Sequence, residues 1–199
     1  WSGSREYRLK FFDLLVAQQL NKHCIAKFAA HDNEQHYTNH QYVNTALQAT
    51  NTNLESQLDI NTAPSYASAT YSSHEYQQAA IDVVLETLFD DPRIQLTEKI
   101  LRPIACGKPF ILASTRGSLQ YLRDYGFKTF GEYIDESYDC IEDPVLRLQA
   151  ITNTMQQIVD HPDKETLYSN LHKIAKFNQH RFHSKEFHDL VVGEYQSNL

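Results

Sequence analysis

Ala80-Ile81-Asp82-Val83-Val84-Leu85-Glu86-Thr87, then Leu96-Thr97-Glu98-Lys99-Ile100-Leu101-Arg102-Pro103-Ile104-Ala105-Cys106-Gly107, then Pro109-Phe110-Ile111-Leu112-Ala113-Ser114 are the three runs that decide the fold. The first is β-branched and mostly apolar, the composition of a central strand, and Asp90-Asp91-Pro92 punctuates the loop behind it. In the second, Thr97 predicts the N-cap of a helix that runs to Cys106 and stops at Gly107, while Pro103 predicts a kink or a later effective start. The third run reads as another strand. Strand, helix, strand and then a further helix joined by short connections call for a parallel sheet with right-handed crossovers.

Working outward toward the C-terminus, Ser114-Thr115-Arg116-Gly117-Ser118 leads into a helix over Leu119–Tyr125, with Gly126 at its end. Asp143 as cap and Pro144 at the first position open a long amphipathic helix with Val145, Leu148, Ile151, Met155 and Ile158 on one stripe. His161-Pro162-Asp163 ends it, and a further helix over Lys164–Phe182 carries Leu167, Leu171, Ile174, Ala175 and Asn178 at matching intervals. The tail to Leu199 fits no single pattern.

Toward the N-terminus, Ser4–Leu20 reads as a helix capped by Ser4, and Cys24–Ala29 as a short apolar run compatible with a buried strand but too short to exclude other readings. Between about His31 and Ser73, Asn, Thr, Gln, Ser and His dominate. Connections this long are uncommon without structure of their own, so a short helix is expected, with Asn39–Leu47 the best stretch, and the remainder reads as a functional or mobile loop. Tyr66, Tyr71 and Tyr76 would either cover a pocket or anchor this stretch to the surface. The expected architecture is α/β, a mostly parallel sheet flanked by helices. Residues 1–160 form its main domain, with the polar excursion at 31–73, and residues 161–199 a C-terminal helical extension.

The chain has 199 residues, 41% of them hydrophobic, enough for a real core and against intrinsic disorder. With 18 Lys+Arg against 25 Asp+Glu, its net charge of −7 argues against a dedicated nucleic-acid binder, which concentrates cations to replace phosphate counterions. A local basic pocket for one diphosphate stays compatible with that balance. No apolar run approaches the ~20 residues of a membrane span, and no basic-then-apolar signal segment opens the chain. Cys24, Cys106 and Cys140 are well separated and form no CxxC pair, which points to a reducing cytoplasm rather than a disulfide or zinc scaffold. Trp1 stands where an initiator Met would, so the chain is expected to be a processed or excised piece of a longer polypeptide.

Parallel α/β sheets bind ligands outside the carboxyl ends of their strands. Two loops there carry suitable chemistry. The first runs from Glu86 through Arg93 to Thr97-Glu98-Lys99, where a helix start with free N–H groups suits phosphate, Lys99 adds a cation and Glu98 can accept from sugar hydroxyls. In the second, Gly117 permits close backbone approach and Ser118 heads a helix. A solvated helix cap accounts for either loop taken alone. His180, His183 and His188 lack a Cys or carboxylate at ligand spacing and read as a solvated face, not a metal site. Asp135, Glu136 and Asp139 would bind a cation, act as acids, or cap and pack a loop, and the last reading is favoured. Cys106 reads as a small core residue.

The pattern Thr97-Glu98-Lys99-Ile100, Pro103-Ile104-Ala105, Gly107, Pro109-Phe110-Ile111, continued by Gly126-Phe127-Lys128-Thr129-Phe130 and Asp135-Glu136-Ser137-Tyr138-Asp139, resembles the nucleotide-sugar-binding half of GT-B glycosyltransferases. It looks most like a bacterial and phage group distantly similar to fucosyltransferases. The likeness covers about Ala79 to Ile158, is weaker from Arg5 to Phe28, and does not extend across the polar stretch. It implies a Rossmann-like donor domain of the GT-B C-terminal type, transferring a sugar from a nucleotide diphosphate to a glycan or protein acceptor. Glu98 and Lys99 would face ribose and diphosphate, Glu86 would line the same crevice, and Arg5 or Arg8 would offer a further cation. With Thr97, Gly117 and Ser118 these make up the expected donor site. No cofactor or bound metal is implied, because cations and helix ends stabilise the departing diphosphate. The catalytic base belongs to an acceptor domain, expected N-terminal to this chain. The alternative is a non-catalytic interaction or scaffolding module that keeps the fold.

Overall fold

A computed structural model of the protein describes residues 6–26, 31–32, 35–36, 43–50 and 73–198. The fold is mixed α/β and mostly helical, around a small parallel sheet. Helix α1 (Glu6–Ala17) buries Tyr7, Leu9, Phe11, Phe12 and Leu15 together with the polar Arg8 and Asp13, so it is enclosed on most sides. A 3-10 turn over Leu20–His23 follows, and residues 24–26 take no regular structure where the Cys24–Ala29 run is compatible with a strand. The rest of that run, the Ser4 cap, Arg5, Tyr66 and Tyr71 lie outside the described residues.

Within the polar stretch, β1 (His31–Asp32) pairs antiparallel with β2 (Gln35–His36). Of the helix expected over Asn39–Leu47, the described part is a single 3-10 turn at Thr45–Leu47. Asn44 caps it by accepting from the Ala46 N–H, and Leu47 is its buried residue, while residues 39–42 of the expected helix lie outside the described residues. Helix α2 (Ser73–Gln78) then leads to the sheet.

Strand β3 (Asp82–Leu85), helix α3 (Glu98–Cys106) and strand β4 (Phe110–Ala113) make the expected parallel unit. Asp82, Val83, Val84 and Leu85 face Phe110, Ile111, Leu112 and Ala113 in register. The ladder extends one bond each way, from Asp82 N–H to the Pro109 carbonyl and from Glu86 N–H to the Ala113 carbonyl. All of β4 is buried, as its unbroken apolar run requires. Only these two strands pair in parallel among the described residues, so the sheet is smaller than the expected one and helices supply most of the core.

Local signals set the helix ends. The Thr97 hydroxyl accepts from the Lys99 N–H, and Gly107 closes α3 at φ +64°, a left-handed position at which a side chain would be strained. Pro103 lies inside α3 without ending it; it is buried, and deprives the Lys99 carbonyl of its usual i+4 donor. Helix α4 spans Ser118–Asp124 and α5 Pro144–Val159, with Asp143 accepting from Val145 and Leu146 N–H. Helix α6 (Lys164–Phe182) is capped by Asp163, and α7 (Lys185–Ser197) by Ser184, so the tail is helical. Leu148, Ile151, Met155 and Ile158 of α5 join Leu167, Leu171 and Ala175 of α6, the sheet and α1 in one core. Helix α7 buries no residue completely.

Candidate functional site at the carboxyl ends of the parallel strands

The loops leaving β3 and β4 meet at one edge of the sheet: the Thr115 hydroxyl donates to the Arg93 carbonyl at 3.0 Å. The fixed point of this edge is Glu86, which is 0% exposed. Its Oε1 accepts from the Thr97 N–H at 2.9 Å, and its Oε2 accepts from the Thr97 hydroxyl at 2.7 Å and the Thr87 N–H at 3.1 Å. A buried carboxylate with such donors fastens the start of α3 to the end of β3. It does not line an open crevice, contrary to the expectation for this residue, because both oxygens are turned onto the chain itself.

Thr97 passes that anchoring outward. Its oxygen also accepts from the Lys99 ammonium at 3.1 Å, and Lys99 Nζ reaches the Thr87 hydroxyl at 3.3 Å and Glu98 Oε1 at 3.0 Å. The Lys99 side chain is 28% exposed and that of Glu98 52%. The hydrogen bond from Lys99 holds the Glu98 carboxyl below its ordinary pKa. Lys99 and Glu98 are thus the two expected site residues that face solvent with their functional groups. Arg93 and Arg116 add cations to the same edge, paired with Asp91 at 2.8 Å and Glu142 at 3.6 Å respectively.

Of the remaining expected residues, Arg8 and Ser118 are buried and Gly117 is half-buried. Arg8 is buried, and its Nη2 donates to the Leu85 and Glu86 carbonyls at 2.9 and 3.1 Å, while the Tyr7 hydroxyl also donates to Glu86 O and its ring stacks on Phe89. These contacts tie α1 to the end of β3 and turn the Arg8 guanidinium away from solvent. Gly117 stands at φ +83° and donates its N–H to the Asp139 carbonyl at 2.9 Å. Ser118 is fully buried, its hydroxyl donating to Thr115 O at 2.6 Å and lying 3.0 Å from Ser114 Oγ. The Leu119 N–H at the start of α4 is held by both Asp139 oxygens, at 3.1 and 3.2 Å. A carboxylate of the chain therefore occupies the helix start that the second loop leads into.

Asp139 was read as a capping residue, and it caps. Burial raises its pKa, opposed by the backbone N–H groups of Leu119, Gln120 and Ser118. Glu136 accepts from the Phe130 N–H at 2.6 Å and pairs with Arg123 at 3.6 Å, and Asp135 accepts from the Ser137 N–H at 2.9 Å, so the acidic cluster packs its own loop. His180 and His188 are exposed, and His183 lies 3.3 Å from the Ala105 carbonyl. Among the described residues no group of three or more His, Cys, Asp or Glu side chains is arranged to hold a metal. Cys106 is half-buried on α3, and all three cysteines are free.

Arg147, which no motif in the sequence singles out, organises this edge from α5. Its Nη1 donates to Ile141 O at 2.6 Å and Glu142 O at 3.1 Å, its Nη2 to Phe89 O at 2.6 Å, and its guanidinium lies 4.5 Å from the Phe89 ring centroid. Burial lowers its pKa. A charged residue one helical turn before Ile151 on a buried stripe was the available signal.

Fold and site together define a mixed α/β protein with a parallel β-α-β unit, whose strand-end edge presents a carboxylate–ammonium pair on a rigid internal network. No protein family, curated protein or solved structure was found to match the chain. No helix is long and apolar enough to cross a membrane among the described residues.

Proposed function

We propose that the chain is a nucleotide-sugar-binding unit, the donor domain of a cytoplasmic, metal-independent GT-B-type glycosyltransferase. The observation that carries this reading is the placement of Glu98 and Lys99 at the first turn of α3, on the carboxyl end of β3, where parallel sheets bind phosphate-bearing ligands. Lys99 binds the diphosphate and stabilises the charge that grows on it as the sugar leaves. Its contact with Glu98 is a partly exposed ion pair of small net value, about 0–1 kcal/mol, so phosphate oxygens displace it at little cost. Glu98 is then released to accept from ribose hydroxyls. Glu86, Thr97, Arg8, Gly117 and Ser118 position the two loops without touching the ligand. Three free cysteines agree with a reducing compartment.

Calorimetric titration with a panel of nucleoside diphosphates tests the reading. Lys99→Ala removes a charge-assisted contact worth about 1.5–3 kcal/mol and should weaken binding roughly ten- to a hundredfold with folding unchanged. Glu98→Gln should weaken it less and with less dependence on salt. Wild-type protein that binds none of the panel at millimolar concentration, or Lys99→Ala binding as well as wild type, rejects the donor-site assignment. A second reading, an interaction module without catalysis, is favoured by one observation: Asp139 already occupies the start of α4 and Glu98 already pairs with Lys99. That reading gains ground if the panel fails.

A further inference from the structure

At the opposite end of the sheet, where the strands begin, the described residues line an open cavity of about 440 Å³. Gln77 and Gln78 of α2, Lys108 and Pro109 beside β4, and Tyr168, Ser169 and His172 of α6 contribute to its lining. None of these residues takes part in the strand-end site. We propose that this cavity is a binding site for a neutral, hydroxyl-rich ligand of monosaccharide size, separate from the nucleotide site.

The argument rests on the hydrogen-bonding character of the lining. An amide and a hydroxyl each both donate and accept, as sugar hydroxyls do, whereas an anion needs donors alone. Gln77 and Ser169 supply such groups, Gln78 an amide whose nitrogen also lies 2.9 Å from His74 Nε2, and His172 an imidazole ring. Among the described residues no carboxylate lines the cavity, and the lysine that does, Lys108, donates to the Ala79 carbonyl. The neighbouring acid, Asp82, is held by the Tyr76 hydroxyl at 2.9 Å and does not line the cavity. Tyr168 adds a half-buried aromatic side chain, a suitable surface for the apolar face of a pyranose.

Geometry also sets what such a site could do. The four-residue strands put it about 13 Å from the Glu98–Lys99 edge, so a sugar held there is not the one that reacts. It would anchor a glycan away from any transfer. For a ligand of about a dozen heavy atoms in an open cavity, the expected Kd is in the millimolar range.

The test is saturation-transfer NMR on the whole chain with free hexoses and deoxyhexoses at about 10 mM, and with acetate and inorganic phosphate as anionic controls. Ser169→Trp fills the cavity from an exposed helical position, and His172→Ala removes one polar partner. Expected are saturation transfer from at least one monosaccharide, loss of that signal in Ser169→Trp, at least a threefold weakening in His172→Ala, and retention of the signal in Lys99→Ala. Circular dichroism of both cavity variants should match wild type. If no monosaccharide gives a signal, if the signal persists in Ser169→Trp, or if acetate or phosphate displaces the sugar, the proposal is overturned. Because Lys99→Ala leaves this cavity intact, failure here and failure of the nucleotide site are separate results.

Discussion

Replacing Glu86 by Gln changes one atom of a fully buried side chain, and the surrounding bonds set the size of the effect. In Glu86→Gln the amide oxygen keeps the Thr97 N–H, but an NH2 group takes the place of Oε2, opposite the Thr97 hydroxyl and the Thr87 N–H. The Thr97 hydroxyl can turn and accept from it, in competition with Lys99, which already donates to the same oxygen. The Thr87 N–H cannot turn and is left facing a donor. An orphaned buried N–H costs about 1–3 kcal/mol, and the bonds that survive fall from charge-assisted to neutral strength at about 1 kcal/mol each. An amide is cheaper to bury than a carboxylate, which returns part of this. The expected net destabilisation is about 2 kcal/mol, or roughly 4–8 °C in Tm for a chain of this size. Thermal unfolding followed by circular dichroism, with a double-mutant cycle against Thr97→Val, measures it. Residues sharing one hydrogen-bond network should couple by about 1 kcal/mol or more. A Glu86→Gln midpoint within about 1 °C of wild type, or strict additivity with Thr97→Val, would refute the claim that this carboxylate fastens α3 to β3.

Arg147→Ala leaves the Phe89, Ile141 and Glu142 carbonyls without their buried donor, and should lower stability by about 3 kcal/mol or more in urea denaturation, while Arg147→Lys recovers only part. An unchanged midpoint for Arg147→Ala would show that these contacts contribute nothing. Asp139 predicts a pH effect. Its folded pKa is raised by burial, so the native state holds a proton that the unfolded state releases above pH 3.8, and this contribution is lost as pH rises through the raised value. Asp139→Asn keeps an acceptor for the Leu119 N–H and does not titrate, so its stability relative to wild type should climb with pH across that window. Parallel urea-midpoint profiles for the two proteins would contradict the prediction. Lys99→Ala, whose loss of nucleotide affinity is set out above, should shift Tm by no more than about 1–2 °C, since its contacts are partly exposed.

Elements whose causes are local could be read directly from the residues. Thr97 and Gly107 bound α3, Asp143-Pro144 starts α5 and Asp163 starts α6, because a cap needs partners only two to four residues away. The parallel pairing was legible for a similar reason: two short apolar runs, the first of them β-branched, with one short helix between them leave few other arrangements. Helix α7 carried a readable signal too, the Ser184 hydroxyl accepting from the Phe187 N–H, but its weakly apolar face hid it. The site was legible only as a neighbourhood. Which of its groups meet solvent depends on contacts across long stretches of chain: Arg8 reaches Glu86 over 78 residues, Asp139 reaches back 20 residues to cap α4, and Arg147 holds Phe89 over 58. Asn178 makes the same point, since it sits on an apolar stripe of α6 yet exchanges two 2.8 Å bonds with the Lys128 backbone 50 residues away. A polar side chain in a sequence announces that it must be satisfied when buried; only the tertiary structure chooses whether water, a ligand or the chain itself satisfies it, because that choice is made by partners brought together when the core closes.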